Sequence, residues 1–139
     1  MAAVTSIMRA QQLVLARVDE VLRPLELTFA RYELLMLLHF SRTGALPVTK
    51  ASTRLQVHPT SVTNAVDRLE AAGLVERRRN PTDGRGILVA LTPAGRALAL
   101  KATERLNAEV FEQVGLAPRR TGTLLSVLTE LRRSAGDLA

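Results

Sequence analysis

Hydrophobic residues recur at helical spacing along most of the chain. Between residues 4 and 25 they return every three or four positions, which predicts one long amphipathic helix that breaks near Pro24. A second helix should follow Thr28, a residue type suited to capping a helix N-terminus; it is apolar on nearly all sides and is expected to be buried. Two further helices are predicted over residues 93–114 and 118–134.

The middle of the chain carries two short helical patterns that lie close together. The first, VTKASTRL, begins at Val48; the second, PTSVTNAVDRLEAAG, begins at Pro59 and ends near Gly73. The connection QVH between them has the length of the turn in a helix-turn-helix. His58 precedes the second helix, and because imidazole is not a favoured N-cap we expect weak capping there.

Two short β-strand patterns come next, over residues 74–79 and 87–92. They are joined by NPTDGRG, whose Pro, Asp and Gly residues favour a turn. A sheet of two strands is too small to be stable by itself, so the hairpin should pack on helices. The predicted fold is therefore mainly α with a small β-hairpin.

The helix that begins at Pro59 has a small, neutral polar face opposite its apolar face. Short hydroxyls and an amide let a helix approach base edges in the major groove of DNA, and Asn can pair with adenine through two hydrogen bonds. The competing interpretation is an ordinary solvated helix that is rich in Ser and Thr. The candidate DNA-reading residues are Pro59, Thr60, Ser61, Thr63, Asn64 and Arg68.

Arginines are concentrated around the hairpin. An arginine at the tip of a two-stranded wing can enter the minor groove beside a recognition helix, and Asp83 could hold the guanidinium of Arg85 or Arg77 in one geometry. The alternative is a solvated charged hairpin. The candidate wing residues are Arg77, Arg78, Asp83 and Arg85.

Apolar stripes at the two ends of the chain predict a homodimer, because we do not expect one small lobe to cover both of them. Twofold pairing of these helices would bury both stripes in an extensive interface. The residues are Val14, Val18, Val21 and Leu22 on the first helix and Leu124, Leu125, Val127, Leu128 and Leu131 on the last.

Composition narrows the functional classes. The 139 residues include 19 Lys and Arg against 13 Asp and Glu, a net charge of +6, and all but two of the basic residues are arginine. This bias favours a phosphate-bearing partner, although high-GC coding also enriches arginine. The chain has no cysteine, and its two histidines, His39 and His58, lie on different predicted elements, so we expect no enzyme activity, metal site or cofactor. It carries no signal-peptide or membrane-spanning pattern, so we expect a cytoplasmic protein.

The segment GLVERRRNPTDGRGILVALTPAGR resembles the wing signature of the MarR family of transcription regulators, and VHPTSVTNAVDRLEAAGLV resembles that family's recognition helix. The resemblance covers essentially the whole chain and assigns the wing to Arg77, Asp83 and Arg85. It implies one MarR-like domain over residues 1–139, with a winged helix-turn-helix lobe at 28–92 and dimerisation helices at 1–27 and 93–139. The implied function is a homodimeric regulator of double-stranded DNA, expected to be a repressor.

The resemblance also implies release by a small aromatic or anionic effector that binds between the dimerisation helices and the DNA-binding lobe. The candidate pocket residues are Arg17, Phe29, Tyr32 and His39, each of which could equally be ordinary packing. A different functional class stays open: a winged-helix module that binds another protein without reading DNA.

Overall fold

The computed structural model describes residues 1–84 and 86–138; the predicted wing-tip residue Arg85 lies outside the described residues. The described chain forms six α-helices and three β-strands. A 3-10 turn at Arg23–Leu25 follows the first helix, and a π-helical turn at Asn107–Phe111 continues the fifth. In chain order, the elements are α1 (Ala2–Leu22), α2 (Phe29–Phe40), β1 (Ala45–Pro47), α3 (Val48–Leu55), α4 (Pro59–Ala71), β2 (Val75–Arg79), β3 (Ile87–Leu91), α5 (Pro93–Leu106) and α6 (Pro118–Ser134).

The strands form one antiparallel sheet in the order β1-β3-β2. Arg77 of β2 stands opposite Val89 of β3, and Leu46 of β1 stands opposite the same valine from the other side. The sequence predicted only the β2–β3 hairpin, so the expectation of a two-stranded sheet was wrong by one strand. β1 has three residues, too few to show an alternating pattern, and pairing with β3 is what makes it a strand.

The core surrounds α2, whose Leu34, Leu35 and Leu38 are almost completely buried. The predicted burial of this helix is confirmed, and Thr28 caps it by accepting a hydrogen bond from the Arg31 backbone N–H at 3.3 Å. Residues of α3, α4, α5 and the sheet pack around it. The core thereby holds the helix-turn-helix and the wing in one body.

The first helix divides into two parts. Val18, Val21 and Leu22 are buried in the chain's own core, which corrects the prediction that they form the dimer stripe. Their apolar spacing is that of a helix packed on α2 and α5, and periodicity alone does not tell a core face from an interface face. The N-terminal part of α1 instead exposes large apolar side chains, namely Val4, Ile7, Met8, Leu13 and Val14.

Helix α6 buries none of its residues against the rest of the described chain. All of its residues, Pro118–Ser134, are described and none is buried. Past its C-terminal end, the Asp137 carboxylate accepts hydrogen bonds from Gln56 in the helix-turn-helix turn and from Arg132. Among residues 1–84 and 86–138, no helix is both long enough and apolar enough to cross a bilayer.

Candidate nucleic-acid interface

The helix-turn-helix turn is held by local hydrogen bonds. Gln56 adopts the left-handed conformation at φ 55°, which ends α3 and redirects the chain. The buried Ser52 hydroxyl donates to the Val57 carbonyl at 2.7 Å. His58 then caps α4, because its Nδ1 accepts from the Thr60 backbone N–H at 3.1 Å. A side-chain cap is therefore present at His58, where the imidazole nitrogen takes the acceptor role that a hydroxyl oxygen usually has; that this cap is weak stays a prediction.

Helix α4 presents the polar face that the sequence predicted. Val62, Val66 and Leu69 are buried against the core, so the opposite face is directed outward. Within the described chain, the polar side chains of the candidate residues on this face form no hydrogen bond or ion pair, which leaves their donors and acceptors available to a ligand; Asp67, on the same helix, pairs with the wing. All of these candidate residues are exposed: Pro59, Thr60, Ser61, Thr63, Asn64 and Arg68.

Arg77 connects the wing to the same helix. Its backbone N–H donates to Glu70 Oε2 at 2.8 Å and its Nη1 donates to Glu70 Oε1 at 2.6 Å, while Nη2 pairs with Asp67. The backbone N–H and guanidinium of Arg77 hold the pKa of the Glu70 carboxyl below its ordinary value. Two carboxylates on α4 thus hold the guanidinium against the helix. These contacts join β2 to α4. The sequence did not predict them, although Asp67 and Glu70 stand three residues apart on one face of the helix.

The other described wing residues are exposed, and Asp83 lines a groove beside Pro47 and Val48. Arg78 pairs with Glu76 on the exposed side of β2, and Arg79 is exposed at the strand end. The loop beyond it is ordered by Asn80, whose backbone N–H donates to the Gly86 carbonyl at 2.9 Å. Asp83 is exposed in this loop, and its bracing of Arg85 stays a prediction.

The base of the wing has a close backbone contact. The Thr92 hydroxyl accepts from the Gly95 backbone N–H at 3.0 Å, capping α5, and donates to the Gly73 carbonyl at 2.7 Å. A Cβ on Gly95 would lie 1.9 Å from the Leu74 carbonyl oxygen. The Leu-Thr-Pro-x-Gly stretch therefore lets α5 start directly against the chain that enters β2.

A shallow groove next to α4 adds a basic residue that the sequence did not single out. Arg31, at the start of α2, lines this groove together with Ser61, Asn64 and Arg68. Its Nε donates to the Thr28 hydroxyl at 3.1 Å, which orients the guanidinium. Only the packing of α2 against α4 brings this arginine to the interface, so no local sequence signal could have identified it.

Two of the four predicted pocket residues make other contacts. Arg17 donates to the backbone carbonyls of Glu109 at 3.2 Å and Gln113 at 2.8 Å, which ties α1 to the end of the π-helical turn. The His39 Nδ1 lies 2.8 Å from Arg96 Nη1, at the junction of α2 and α5. The structure therefore places these two side chains in separate contacts.

The other two pocket candidates are neighbours in α2. The rings of Phe29 and Tyr32 stack with centroids 6.3 Å apart, and the buried Tyr32 hydroxyl bonds to the Thr103 hydroxyl at 2.7 Å. Of the four candidates, Phe29 alone lines a cavity of about 440 Å³ between α1 and α2. The cavity is lined by Gln11, Val14, Leu15, Val18, Asp19, Thr28, Phe29, Ala30, Glu33 and Phe111.

Comparisons with known proteins agree with this geometry. The MarR family model matches residues 25–86. The HTH-type transcriptional regulator YhbI of Bacillus subtilis is 30% identical over 121 residues, which cover 85% of this chain and 71% of YhbI. The crystal structure of Sco5413, a MarR family transcriptional regulator from Streptomyces coelicolor, is 50% identical with a TM-score of 0.92, covering 99% of this chain and 96% of Sco5413.

A DNA complex is also similar to this fold. The transcriptional repressor CouR bound to a 23-mer DNA duplex is 27% identical, with a TM-score of 0.84 over 91% of this chain and 89% of CouR. The winged helix-turn-helix fold, the exposed polar face of α4 and these likenesses all agree with the family that the sequence motifs predicted. The protein belongs to the MarR family of DNA-binding transcription regulators, which are not enzymes.

Proposed function

We propose that this protein is a homodimeric repressor that binds a pseudo-palindromic operator and is released by a small-molecule effector. The observation that carries the proposal is the outward face of α4, where exposed hydroxyls and the Asn64 amide form no bond within the described chain. Such a face is suited to base edges in the major groove, where Asn can pair with adenine. CouR, a repressor of similar fold, binds a DNA duplex.

The residues around α4 divide into two roles in this proposal. Thr60, Ser61 and Asn64 read base edges from the N-terminal half of the helix. Arg31 and Arg68 line the groove beside that helix and neutralise phosphates. The wing carries Arg85 to the adjacent minor groove, as its position in the sequence motif predicts.

Dimerisation is supported by the apolar surface that the chain leaves uncovered. Leu124, Leu125, Val127 and Leu131 of α6 are between 42% and 65% exposed. Each large apolar side chain gains about 1.5–3 kcal/mol when it is fully buried, so a helix with this surface favours association. The N-terminal part of α1 is a second such surface, and a twofold partner would cover both.

This arrangement refines the expected domain organisation. We propose that residues 28–92 form the DNA-binding lobe and that residues 93–139 lead into the dimer region, as the sequence predicted. Helix α1 serves both parts, since Val18, Val21 and Leu22 belong to the core and only the N-terminal part of the helix is free for a partner. A ligand between α1 and α2 would therefore contact the element that joins the two regions.

The experiment is selection of duplexes from a random library, followed by binding isotherms on the selected and a scrambled duplex. We expect two half-sites about 10 base pairs apart, one for each recognition helix. Asn64→Ala should weaken binding to the selected duplex by about 1–3 kcal/mol and leave the scrambled duplex unchanged. Asn107→Ala, which removes an exposed amide from the π-helical turn, is the matched control and should have no effect. Failure to enrich any paired half-site would contradict the proposal.

A further inference from the structure

The cavity between α1 and α2 has the size and walls of a small-molecule site. Its volume of about 440 Å³ falls within the range of roughly 300–1,000 Å³ that is usual for ligand pockets. From α1 the cavity is lined by Val14, Leu15 and Val18, from α2 by Phe29, and from the π-helical turn by Phe111. The walls therefore accept an aromatic or aliphatic body.

The charge of this cavity is negative. Asp19 and Glu33 line it, and none of its described lining residues is basic. One oxygen of Asp19 accepts a hydrogen bond from the Phe29 backbone N–H at 3.1 Å, so this carboxylate is held in place at the start of α2. Arg17, a predicted basic candidate on α1, does not line the cavity and instead donates to backbone carbonyls of the π-helical turn and the segment after it.

Glu33 is exposed at the edge of the cavity and, unlike Asp19, is not held by a hydrogen bond. Within the described chain it forms no hydrogen bond or ion pair, and partial burial raises the pKa of its carboxyl. Incomplete solvation of an ionised group is relieved by a nearby cation and aggravated by an anion. The rings of Phe29 and Phe111 can also attract a cation through their faces.

We propose that this cavity takes a ligand with an apolar body and a cationic amine, which sits beside Glu33 and Asp19, and that it disfavours aromatic anions. This inference rests on the proposed function, because it names the chemical class of the effector. The resemblance to the family implied a small aromatic or anionic effector; this inference keeps the apolar body and replaces the negative charge with a positive one. The difference follows from the side chains that line this particular cavity.

The test uses three probes of one carbon skeleton: 4-phenylbutylamine, 4-phenylbutanol and 4-phenylbutyrate, which carry a positive, a zero and a negative charge at pH 7. Titration calorimetry on the full chain should give an affinity for the amine at least about tenfold above that for the carboxylate. Glu33→Gln should weaken the amine about fivefold to tenfold and leave the alcohol unchanged. Glu104→Gln removes the same charge from the exposed side of α5 and should change nothing.

Two results would overturn the inference. The first is that 4-phenylbutyrate binds as tightly as 4-phenylbutylamine. The second is that none of the three probes binds, which is expected if a second copy of the chain fills the cavity beside Val14 and Phe111. Operator binding is measured on the same preparation without probes. Intact operator binding with no preference for the amine refutes this inference alone, whereas absent operator binding refutes the proposed function. Glu33→Gln must also keep the parent's melting curve and operator affinity, so that a lost preference is not a folding defect.

Discussion

Replacing Gly95 by alanine should destabilise the protein, although alanine is the better helix former. Gly95 is the third residue of α5 and is buried where this helix meets the chain that enters β2. A Cβ at this position would lie 1.9 Å from the Leu74 carbonyl oxygen and 2.9 Å from Leu91 Cδ1. The first of these contacts is with backbone, so it cannot be relieved by turning a side chain.

Two effects of opposite sign decide the magnitude. Alanine in place of glycine within a helix gains roughly 0.5–1 kcal/mol, because the unfolded chain loses conformational freedom. Carbon and oxygen atoms in contact normally stay about 3.3 Å apart, so α5 and Leu74 must separate by roughly 1 Å or more. Overpacking of this kind costs about 1–3 kcal/mol, and a clash with backbone should lie at the upper end. The net expectation is a loss of about 2 kcal/mol in the free energy of unfolding.

Urea denaturation at fixed protein concentration measures this loss. Ala94→Gly is the internal control, because Ala94 is the exposed neighbour in the same turn of α5. It reports the helix-propensity effect alone and should lower stability by about 0.5–1 kcal/mol. The separation should also loosen the wing, since the Leu74 carbonyl accepts from the Thr92 backbone N–H at 3.1 Å.

A free energy of unfolding for Gly95→Ala equal to or above that of the parent would contradict this expectation. That outcome would mean that helix propensity outweighs the contact and that α5 does not approach Leu74 as closely as the structure shows. Because the propensity gain partly offsets the contact, a loss no larger than that of Ala94→Gly would mean that the contact costs at most about 1–2 kcal/mol, below the upper end expected for a clash with backbone.

Further predictions concern the wing, its acid sensitivity and the dimer. Arg77 lowers the pKa of the Glu70 carboxyl in the folded protein, so the ionised carboxylate stabilises the fold above its unfolded pKa of about 4.3, and this stabilisation is lost as the pH falls through the folded pKa. In a pH series of melting curves, Glu70→Gln should therefore reduce the loss of stability at acid pH. Arg85→Ala should weaken operator binding by about 1–3 kcal/mol and remove the preference for a narrow, A·T-rich minor groove; an unchanged ratio of selected to scrambled affinity would leave the wing as a solvated basic hairpin. Asp83→Ala should also weaken binding, despite removing a negative charge near DNA, and equal or tighter binding in isotherms would disprove the bracing role. Leu125→Lys should shift sedimentation toward monomer at micromolar concentration, and a monomeric parent would disprove the dimer.

The order of the helices and the hairpin could be predicted from the sequence because the signals are local. Apolar spacing predicted the bounds of α6 correctly and those of β2 and β3 to within one residue. Thr28 and Pro59 marked where α2 and α4 begin, since caps and first-turn prolines act within a few residues of themselves. The exposed polar face of α4 followed from the same periodicity.

Contacts between distant parts of the chain were decided by the tertiary structure. Strand β1 exists because β3 lies next to it, and Arg31 reaches the groove beside α4 because α2 packs there. The guanidinium of Arg77, expected at the DNA, is held by Asp67 and Glu70 of α4. Each of these features depends on which surfaces meet, and a one-dimensional pattern does not contain that information.

Tertiary packing also decided what the apolar face of α1 contacts and which charged residues line the cavity. Periodicity shows that Val18 and Val21 face something apolar, but only packing on α2 and α5 shows that this is the chain's own core. Asp19 and Glu33 stand on different helices, and they line one cavity because α1 crosses α2 there. Local propensity and periodicity thus determined the elements and the polar face of α4. The charge of the cavity and the partners of the arginines were determined by tertiary packing, because electrostatic and packing energies depend on distances through space.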